Sequence, residues 1–364
     1  MRVLYFSRDY TVHDQRFLTA LADTPHEVFF LRLESNGLSL KENPLPRNID
    51  QIQWGGGYST ASWVDGPKLL ISLKKVLADL KPDLVHAGPI QRSALLVALA
   101  GFRPLVSVSW GYDLIHDAKR SPFWRWATQF TLKRSAVMVG DCKTIHHLAK
   151  TYGMPGEQIV TFPWGIDLEL FSPAQRTFQN EPFTLLSVRS WEPIYGVDII
   201  ARAFVQAAQS HSELHLVMLG DGSLANQLYQ IFQQGNVLDR ITFPGLVKQS
   251  ELPDFYRTAD LYLSASHSDG TSISLLEAMG CGRPVLVSDI PGNKEWVTPG
   301  KNGWLFPDGN VEALSQAIVQ VLSERPKLPE MGLSARLITE KRANWKTNFP
   351  LLLDAYNMAV NQPN

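Results

Sequence analysis

Short apolar runs recur along this chain, each followed by a polar loop and then by a stretch of helical periodicity. RVLYFS (2–7), HEVFFLRL (26–33), PDLVHA (82–87), RPLVSVSW (103–110) and AVMVG (136–140) are such runs, and KLLISLKKVLADL (68–80) is one of the helical stretches between them. Strands that alternate with helices build a parallel, doubly wound sheet. Around LELFSPAQRTFQNEP (168–182) the pattern gives way to Pro, Gln and Asn, the composition of a linker. It restarts with FTLLSV (183–188), LHLVMLG (214–220), RITFPG (240–245), ADLYLSA (259–265), RPVLVSD (283–289) and NGWLFP (302–307). The expected fold class is therefore α/β, with an N-terminal domain over 1–170, a linker over 171–182 and a C-terminal domain over 183–343. Residues 344–364 are expected to add a C-terminal helix, NWKTNFPLLLDAYNMAV (344–360), that can return to the N-terminal domain.

A length of 364 residues fits two such domains, and 45% hydrophobic with 19% charged residues is the composition of a soluble globular protein. The formal net charge of -1 argues against a nucleic-acid partner. Basic side chains slightly outnumber acidic ones in 1–170 and the reverse holds afterwards, a mild lean of the first half toward anionic partners. Cys142 and Cys281 are the only cysteines, too few for a disulfide framework or a cysteine metal site. No stretch reaches the roughly 18 apolar residues of a membrane span. MRVLYFSRDY lacks the pattern of a signal peptide, so a cytoplasmic protein is expected.

Ligands of open parallel sheets bind at the carboxyl ends of the strands, and two such domains facing one another leave a cleft. The run LYLSAS ends at Ser266, and HSDGTSIS then turns into ISLLEAMG. Thr271 or Ser272 suits a helix N-cap, and the N–H groups of a helix start form an anion site suited to phosphate. Glu277, about one and a half turns in, is placed to reach past a phosphate to ribose hydroxyls. A capped core helix with one solvated acid accounts for the same residues, and the residues alone leave both readings open.

The stretch SDGTSISLLEAMGCGRPVLVSDIPGNKEWVTPGKNGWLF resembles the signature of retaining glycosyltransferases of family four (glycosyl transferases group 1): an acid, seven residues, a Glu, and then A-M-A-x-G-x-P-V. LLSVRSWEPIYGVDIIARAF (185–204) looks like that family's Arg-containing loop, and VTFPWGIDLELFSP (160–173) like its hinge. LVMLGDGSLANQL (216–228) and ITFPGLVKQSELPDFYRTADLYLSAS (241–266) are similar to the segments between. The resemblance covers essentially the whole chain. It implies the GT-B fold, two Rossmann-like domains facing across a cleft, and transfer of a sugar from a nucleotide diphosphate sugar to an acceptor hydroxyl. By resemblance, Glu277 bonds the donor ribose, Gly270, Thr271 and Ser272 present N–H groups to the diphosphate, and Arg189 pairs with it. Asp269 faces the transferred sugar, and Gly245, Leu246 and Val247 border the base. The acceptor is a glycan, a lipid-linked sugar or a small molecule, with no cofactor beyond the donor.

The chain departs from the family in two places. The family's Lys five residues after its Arg is absent from RSWEPIYGV, where Tyr195 precedes Gly196, and its His after the strand equivalent to PLVSVS is replaced by Trp110. Trp110 and Asp113 are candidates for positioning sugar or acceptor, with His13 a candidate substitute for the missing His. Asp14 and Arg16 accompany His13 after the first strand, where helix capping and solvation are the alternative. His86 and His116 are weaker candidates. Gly220 opens GDGSLA (220–225), which fits a dinucleotide fingerprint but follows the wrong strand for one, so a tight turn near the donor is expected. No D-x-D occurs, so no metal-carboxylate donor site is expected. KRSPFWRWATQFTLKR (119–134) interleaves five basic residues with aromatics, a pattern for peripheral contact with the inner face of a membrane or for an ordinary surface helix. A sugar-nucleotide epimerase and a non-catalytic sugar-nucleotide binder remain alternatives to transfer.

Overall fold

The computed structural model describes residues 1–36, 40, 43–174 and 182–362. The chain forms two compact units, Met1–Phe162 with Phe349–Asn364, and Pro163–Asn348. In the first, β1 (Arg2–Ser7), β2 (Glu27–Arg32), β3 (Ile49–Gln51), β4 (Leu84–Gly88), β5 (Leu105–Val108), β6 (Val137–Gly140) and β7 (Ile159–Thr161) form a parallel sheet in the order β3-β2-β1-β4-β5-β6-β7. In the second, β8 (Phe183–Val188), β9 (Leu214–Leu219), β10 (Ile241–Gly245), β11 (Leu261–Ser264), β12 (Val285–Ser288) and β13 (Gly303–Phe306) run parallel in the order β10-β9-β8-β11-β12-β13.

The central strands are buried on both faces, as their unbroken apolar sequences require. The edge strand β10 is half exposed and carries Pro244, which a ladder tolerates only at an edge or a bulge; its register against β9 shifts between Thr242 and Gly245. The strands β3 and β7 have no counterpart among the apolar runs. Each is three residues long at a sheet edge, so pairing rather than local pattern makes it a strand.

The structure divides the chain earlier than the composition break suggests. Residues 163–170, expected in the N-terminal domain, pack in the second unit. The Ile166 N–H donates to the Ala343 carbonyl at 2.7 Å, and the Arg336 guanidinium donates to the Phe171 and Gly280 carbonyls, both at 2.7 Å. Of the expected linker 171–182, Phe171 is a buried member of the second core, and 175–181 lie outside the described residues. The tail is two helices, Trp345–Asn348 and Pro350–Val360; the second belongs to the first unit, where the Tyr356 hydroxyl lies 2.8 Å from His86 Nδ1.

Candidate functional site

The strand order of the second unit reverses between β8 and β11. Arg189 follows the last residue of β8, and the Asp269–Ser272 turn follows β11, so segments 80 residues apart meet where parallel sheets bind ligands. The Arg189 guanidinium donates to Asp269 Oδ2 at 2.8 Å, to Ser272 Oγ at 2.8 Å and to Ser274 Oγ at 3.3 Å. Its Cζ lies 4.1 Å from the centre of the Tyr195 ring, a cation–π contact. Tyr195, which precedes Gly196, thus adds a ring to the site rather than a second positive charge. Burial would lower the Arg189 pKa, but Asp269, Tyr262 and Tyr195 outweigh it and hold the group above its ordinary value.

Ser272 is the N-cap of the helix Ile273–Gly280, as expected, but it makes no side-chain cap. Its hydroxyl accepts from Arg189 instead and lies 3.2 Å from Ser274 Oγ. The turn is held from below by Gly292. A Cβ there would lie 2.1 Å from the Gly270 carbonyl oxygen, a distance no side chain tolerates. Gly220 packs as closely on the loop that carries the arginine, since a Cβ would lie 2.5 Å from the Arg189 carbonyl oxygen. The Ala225 N–H donates to the Gly222 carbonyl at 3.1 Å, closing a turn within GDGSLA, and the Gly220 N–H donates to the Gly245 carbonyl at 3.0 Å, which ties this segment to the end of β10. There Leu246 is 81% exposed, while Val247 packs partly against the second core.

Glu277 is buried, and its Oε2 accepts a hydrogen bond from the Tyr256 hydroxyl at 2.8 Å. Burying a carboxylate is costly unless it is hydrogen-bonded, and the Tyr256 phenol, itself fully buried, meets that need. Desolvation and then the Glu277 charge push the Tyr256 pKa well above its ordinary value, so Tyr256 remains a donor at neutral pH. The solvated acid of the alternative reading is not what the structure contains. Tyr256, Ser274 and Tyr262, whose hydroxyl lies 2.7 Å from Ser274 Oγ, were not legible as site residues. Tyr256 sits on a separate helix, Leu252–Thr258, 21 residues before its partner, and no local pattern marks it.

The first unit brings its candidates His13 and Trp110 together. The His13 and Trp110 rings stack with centroids 5.7 Å apart and planes at 27°, and Phe17 meets Trp110 edge-on at 6.0 Å. Gly88, at the end of β4, leaves room for the indole: a Cβ there would lie 3.1 Å from Trp110 Nε1. Trp110 is half-buried, neither a sealed core residue nor an exposed one.

Asp113 differs from the expectation that it presents a carboxylate to a substrate hydroxyl. It is 3% exposed; Oδ2 accepts from the Ile90 N–H at 3.0 Å, and Oδ1 from the Leu114 N–H at 2.9 Å and the Ser109 hydroxyl. Both oxygens are committed to fixing the loop after β5. Desolvation raises its pKa to about 6 against the pull of these hydrogen bonds. Asp14 closes the capping box of the helix Val12–Ala22 with Thr11 and accepts from the Tyr5 hydroxyl at 3.0 Å. His86 is buried between Tyr5 and Tyr356, and desolvation lowers its pKa to about 3. His116 stacks on Tyr112. Segment 119–134 contains the helix Pro122–Arg134, which buries Trp124 and exposes Phe123 and Trp126.

Models of two families match the chain in tandem: Glycosyltransferase Family 4 over residues 11–170 and Glycosyl transferases group 1 over 170–344. The chain belongs to the family-4 glycosyltransferases. The chain is 26% identical over 204 residues to the amylovoran biosynthesis glycosyltransferase AmsK of Erwinia amylovora, a match covering 54% of the chain and 50% of AmsK. It is 22% identical to the GDP-mannose-dependent alpha-(1-6)-phosphatidylinositol monomannoside mannosyltransferase of Mycobacterium tuberculosis, over 79% of each. The chain spans about half the length of several curated relatives it matches. Among solved structures, Anabaena Alr3699/HepE in complex with UDP superposes with a TM-score of 0.80 at 18% identity, over 98% of this chain and 100% of that one. The fold of the chain is GT-B. Among the described residues, no helix is long and apolar enough to cross a membrane.

Proposed function

We propose that this chain moves a sugar from a nucleotide diphosphate sugar to an acceptor hydroxyl, with retention at the anomeric carbon. The observation that carries this reading is the convergence of Arg189, the Asp269–Ser272 turn and the Tyr256-held Glu277 at the strand reversal of the second unit. The diphosphate lies at the start of the helix Ile273–Gly280, where N–H groups favour an anion. Glu277 accepts from the ribose hydroxyls. Arg189, already charged and oriented, takes the charge that grows on the diphosphate as the glycosidic bond breaks, an arrangement that costs no reorganisation in the transition state. In doing so it exchanges Asp269 for phosphate oxygens, which frees Asp269 to face the transferred sugar. The acceptor hydroxyl attacks from the side the diphosphate leaves. The Trp110–His13 stack offers an apolar face for the sugar or the acceptor, and His13 a proton-accepting group.

HepE has been solved with UDP and with UDP-glucose, and one relative is named for GDP-mannose; these support a nucleotide-sugar donor and set the order of testing. The acceptor is a glycan, a lipid-linked sugar or a small molecule, and residues 119–134 give the cytoplasmic protein peripheral contact with the membrane. Thermal shift with uridine, guanosine and adenosine diphosphate sugars selects the donor, because a bound ligand raises the melting temperature by mass action. The stabilising donor is then incubated with the protein alone. Slow release of free nucleotide supports transfer, an isomeric sugar nucleotide would assign an epimerase, and binding without turnover would assign a non-catalytic binder.

A further inference from the structure

The first unit contains an apolar cavity of about 360 Å³ that the sugar-transfer reading does not use. Its floor is formed by Leu69, Leu95 and Leu96, all buried, on the helices Gly66–Leu80 and Leu95–Ala100. At its rim stand Trp63, Phe123 and Trp126, which are 45%, 47% and 46% exposed. Apart from Ser62, Gln91 and Arg92, the lining is apolar. The size is that of a ligand site, and large aromatic rings held half in water are costly without a partner.

The rim is built rather than loose. Trp63 meets Phe123 edge-on at 5.0 Å, and Phe123 meets Trp126 at 5.7 Å. Arg92 borders the rim, and two further guanidinium groups border other aromatics of the helix Pro122–Arg134. Arg92 lies 5.3 Å from the Trp63 ring and 5.4 Å from Trp124, Arg120 lies 5.3 Å from Trp124, and Arg134 lies 4.7 Å from Phe130. Phe130 in turn stacks on Trp126 at 5.2 Å. Glu34, 3.9 Å from Arg92, offsets part of this charge, but segment 119–134 itself carries five basic residues and no acid. An apolar pocket with tryptophans at its rim, one arginine in its lining and two more on the adjoining helix fits a molecule with a hydrocarbon part and an anionic head, and interfacial aromatics with basic neighbours suit the headgroup layer of an anionic bilayer.

We propose that this cavity takes one hydrocarbon chain of an anionic membrane lipid while Arg92, Arg120 and Arg134 meet the headgroups. The proposal rests on the membrane-contact reading of 119–134 and adds to it a site with walls. Contact by charge alone leaves the cavity empty, whereas a chain site brings the middle of an acyl chain next to Trp63 and Trp126.

The test uses the whole chain and vesicles of phosphatidylcholine and phosphatidylglycerol, with the phosphatidylglycerol brominated at mid-chain. Cosedimentation reports contact, and bromine quenching of tryptophan fluorescence reports a chain inside the cavity. The wild type should cosediment and be quenched. Gly66→Phe grows a ring from a cavity-lining position where a Cβ meets nothing within 4 Å, and Leu99→Glu charges a wall residue that is 39% exposed. Each should lose most of the quenching while still sedimenting. Arg120→Gln with Arg134→Gln should weaken cosedimentation by about 25-fold, from about fivefold for each basic side chain removed. Cosedimentation without quenching would overturn the chain site and leave the membrane contact standing. Absence of both would overturn the two together. A dimer in sedimentation velocity that Trp126→Asp dissolves would assign the face to a second copy of the chain and likewise overturn the lipid site.

Discussion

The Arg189 guanidinium is held between an acid and a ring: Asp269 Oδ2 lies 2.8 Å from its Nη2, and the Tyr195 ring centre lies 4.1 Å from its Cζ. Tyr195 therefore positions the arginine. Arg189→Ala should lower turnover more than donor affinity, because charge on the leaving diphosphate peaks in the transition state. Tyr195→Phe should be nearly silent, and Tyr195→Leu should cost about 0.5–2 kcal/mol of transition-state stabilisation, the range of a cation–π contact. Steady-state kinetics with the selected donor decides. A rise in KM alone on Arg189→Ala would make the arginine a binding residue only.

Asp269→Asn should bind nucleoside diphosphate more tightly than the wild type, since the phosphates would no longer compete with an ion pair for Arg189. Transfer should fall at the same time, because in the proposed site the acid faces the sugar. Calorimetric titration with the diphosphate, set beside the transfer rate, checks both halves. Unchanged diphosphate affinity would mean that the pair persists in the bound state.

Glu277→Ala should weaken donor binding by roughly 1.5–3 kcal/mol, the loss of charge-assisted hydrogen bonds. Tyr256→Phe should weaken it less and also lower the melting temperature, because it leaves a buried carboxylate short of a donor. A folded Glu277→Ala variant with wild-type donor affinity would remove Glu277 from the site.

Trp110→Phe should reduce transfer with little change in melting temperature, and Trp110→His should not raise activity, since His13 and Phe17 pack against an indole. Retained activity with a lowered melting temperature would make Trp110 a packing residue.

Two buried groups of the first unit oppose one another in their pH dependence. His86, lowered to about 3, binds its proton in the unfolded chain first, so it adds stability as pH rises from about 3 to the ordinary histidine value near 6.5. Asp113, raised to about 6, binds its proton in the folded chain first, so its contribution is lost as pH rises from about 4 to 6. Between pH 4 and 6 the two slopes cancel. His86→Gln removes the first, and its stability relative to wild type should fall with rising pH by up to about tenfold in the folding equilibrium per unit. Urea unfolding midpoints across that range measure it, and parallel curves for the two proteins would refute the assignment.

The α/β class and the two sheets were legible because each central strand is an apolar run bounded by polar turns, and burial on both faces demands that pattern. RVLYFS and FTLLSV coincide with β1 and β8 residue for residue. The strand end, turn and helix around residues 269–277 were legible for a similar reason, since they lie within one short stretch of chain, whereas the donor-binding roles of Asp269 and Glu277 came from the resemblance to family four. What the sequence left open were relations between distant segments. Nothing in EPIYGV indicates that Tyr195 lies under Arg189, and nothing near Tyr256 indicates that it holds Glu277. The same local pattern that placed Asp113 in a ligand loop gave no sign that Ile90 and Leu114 would take up its oxygens. Edge strands such as β3 and β7 and the division at Phe162 also depend on partners far along the chain. Periodicity and turn chemistry are properties of neighbours in sequence, so the chain alone determined its central strands, its longer helices and the turn before Ile273. Hydrogen-bond satisfaction of buried charge depends on neighbours in space, so only the tertiary structure decided that Asp269 pairs with Arg189, Glu277 with Tyr256 and Asp113 with the Ile90 and Leu114 N–H groups.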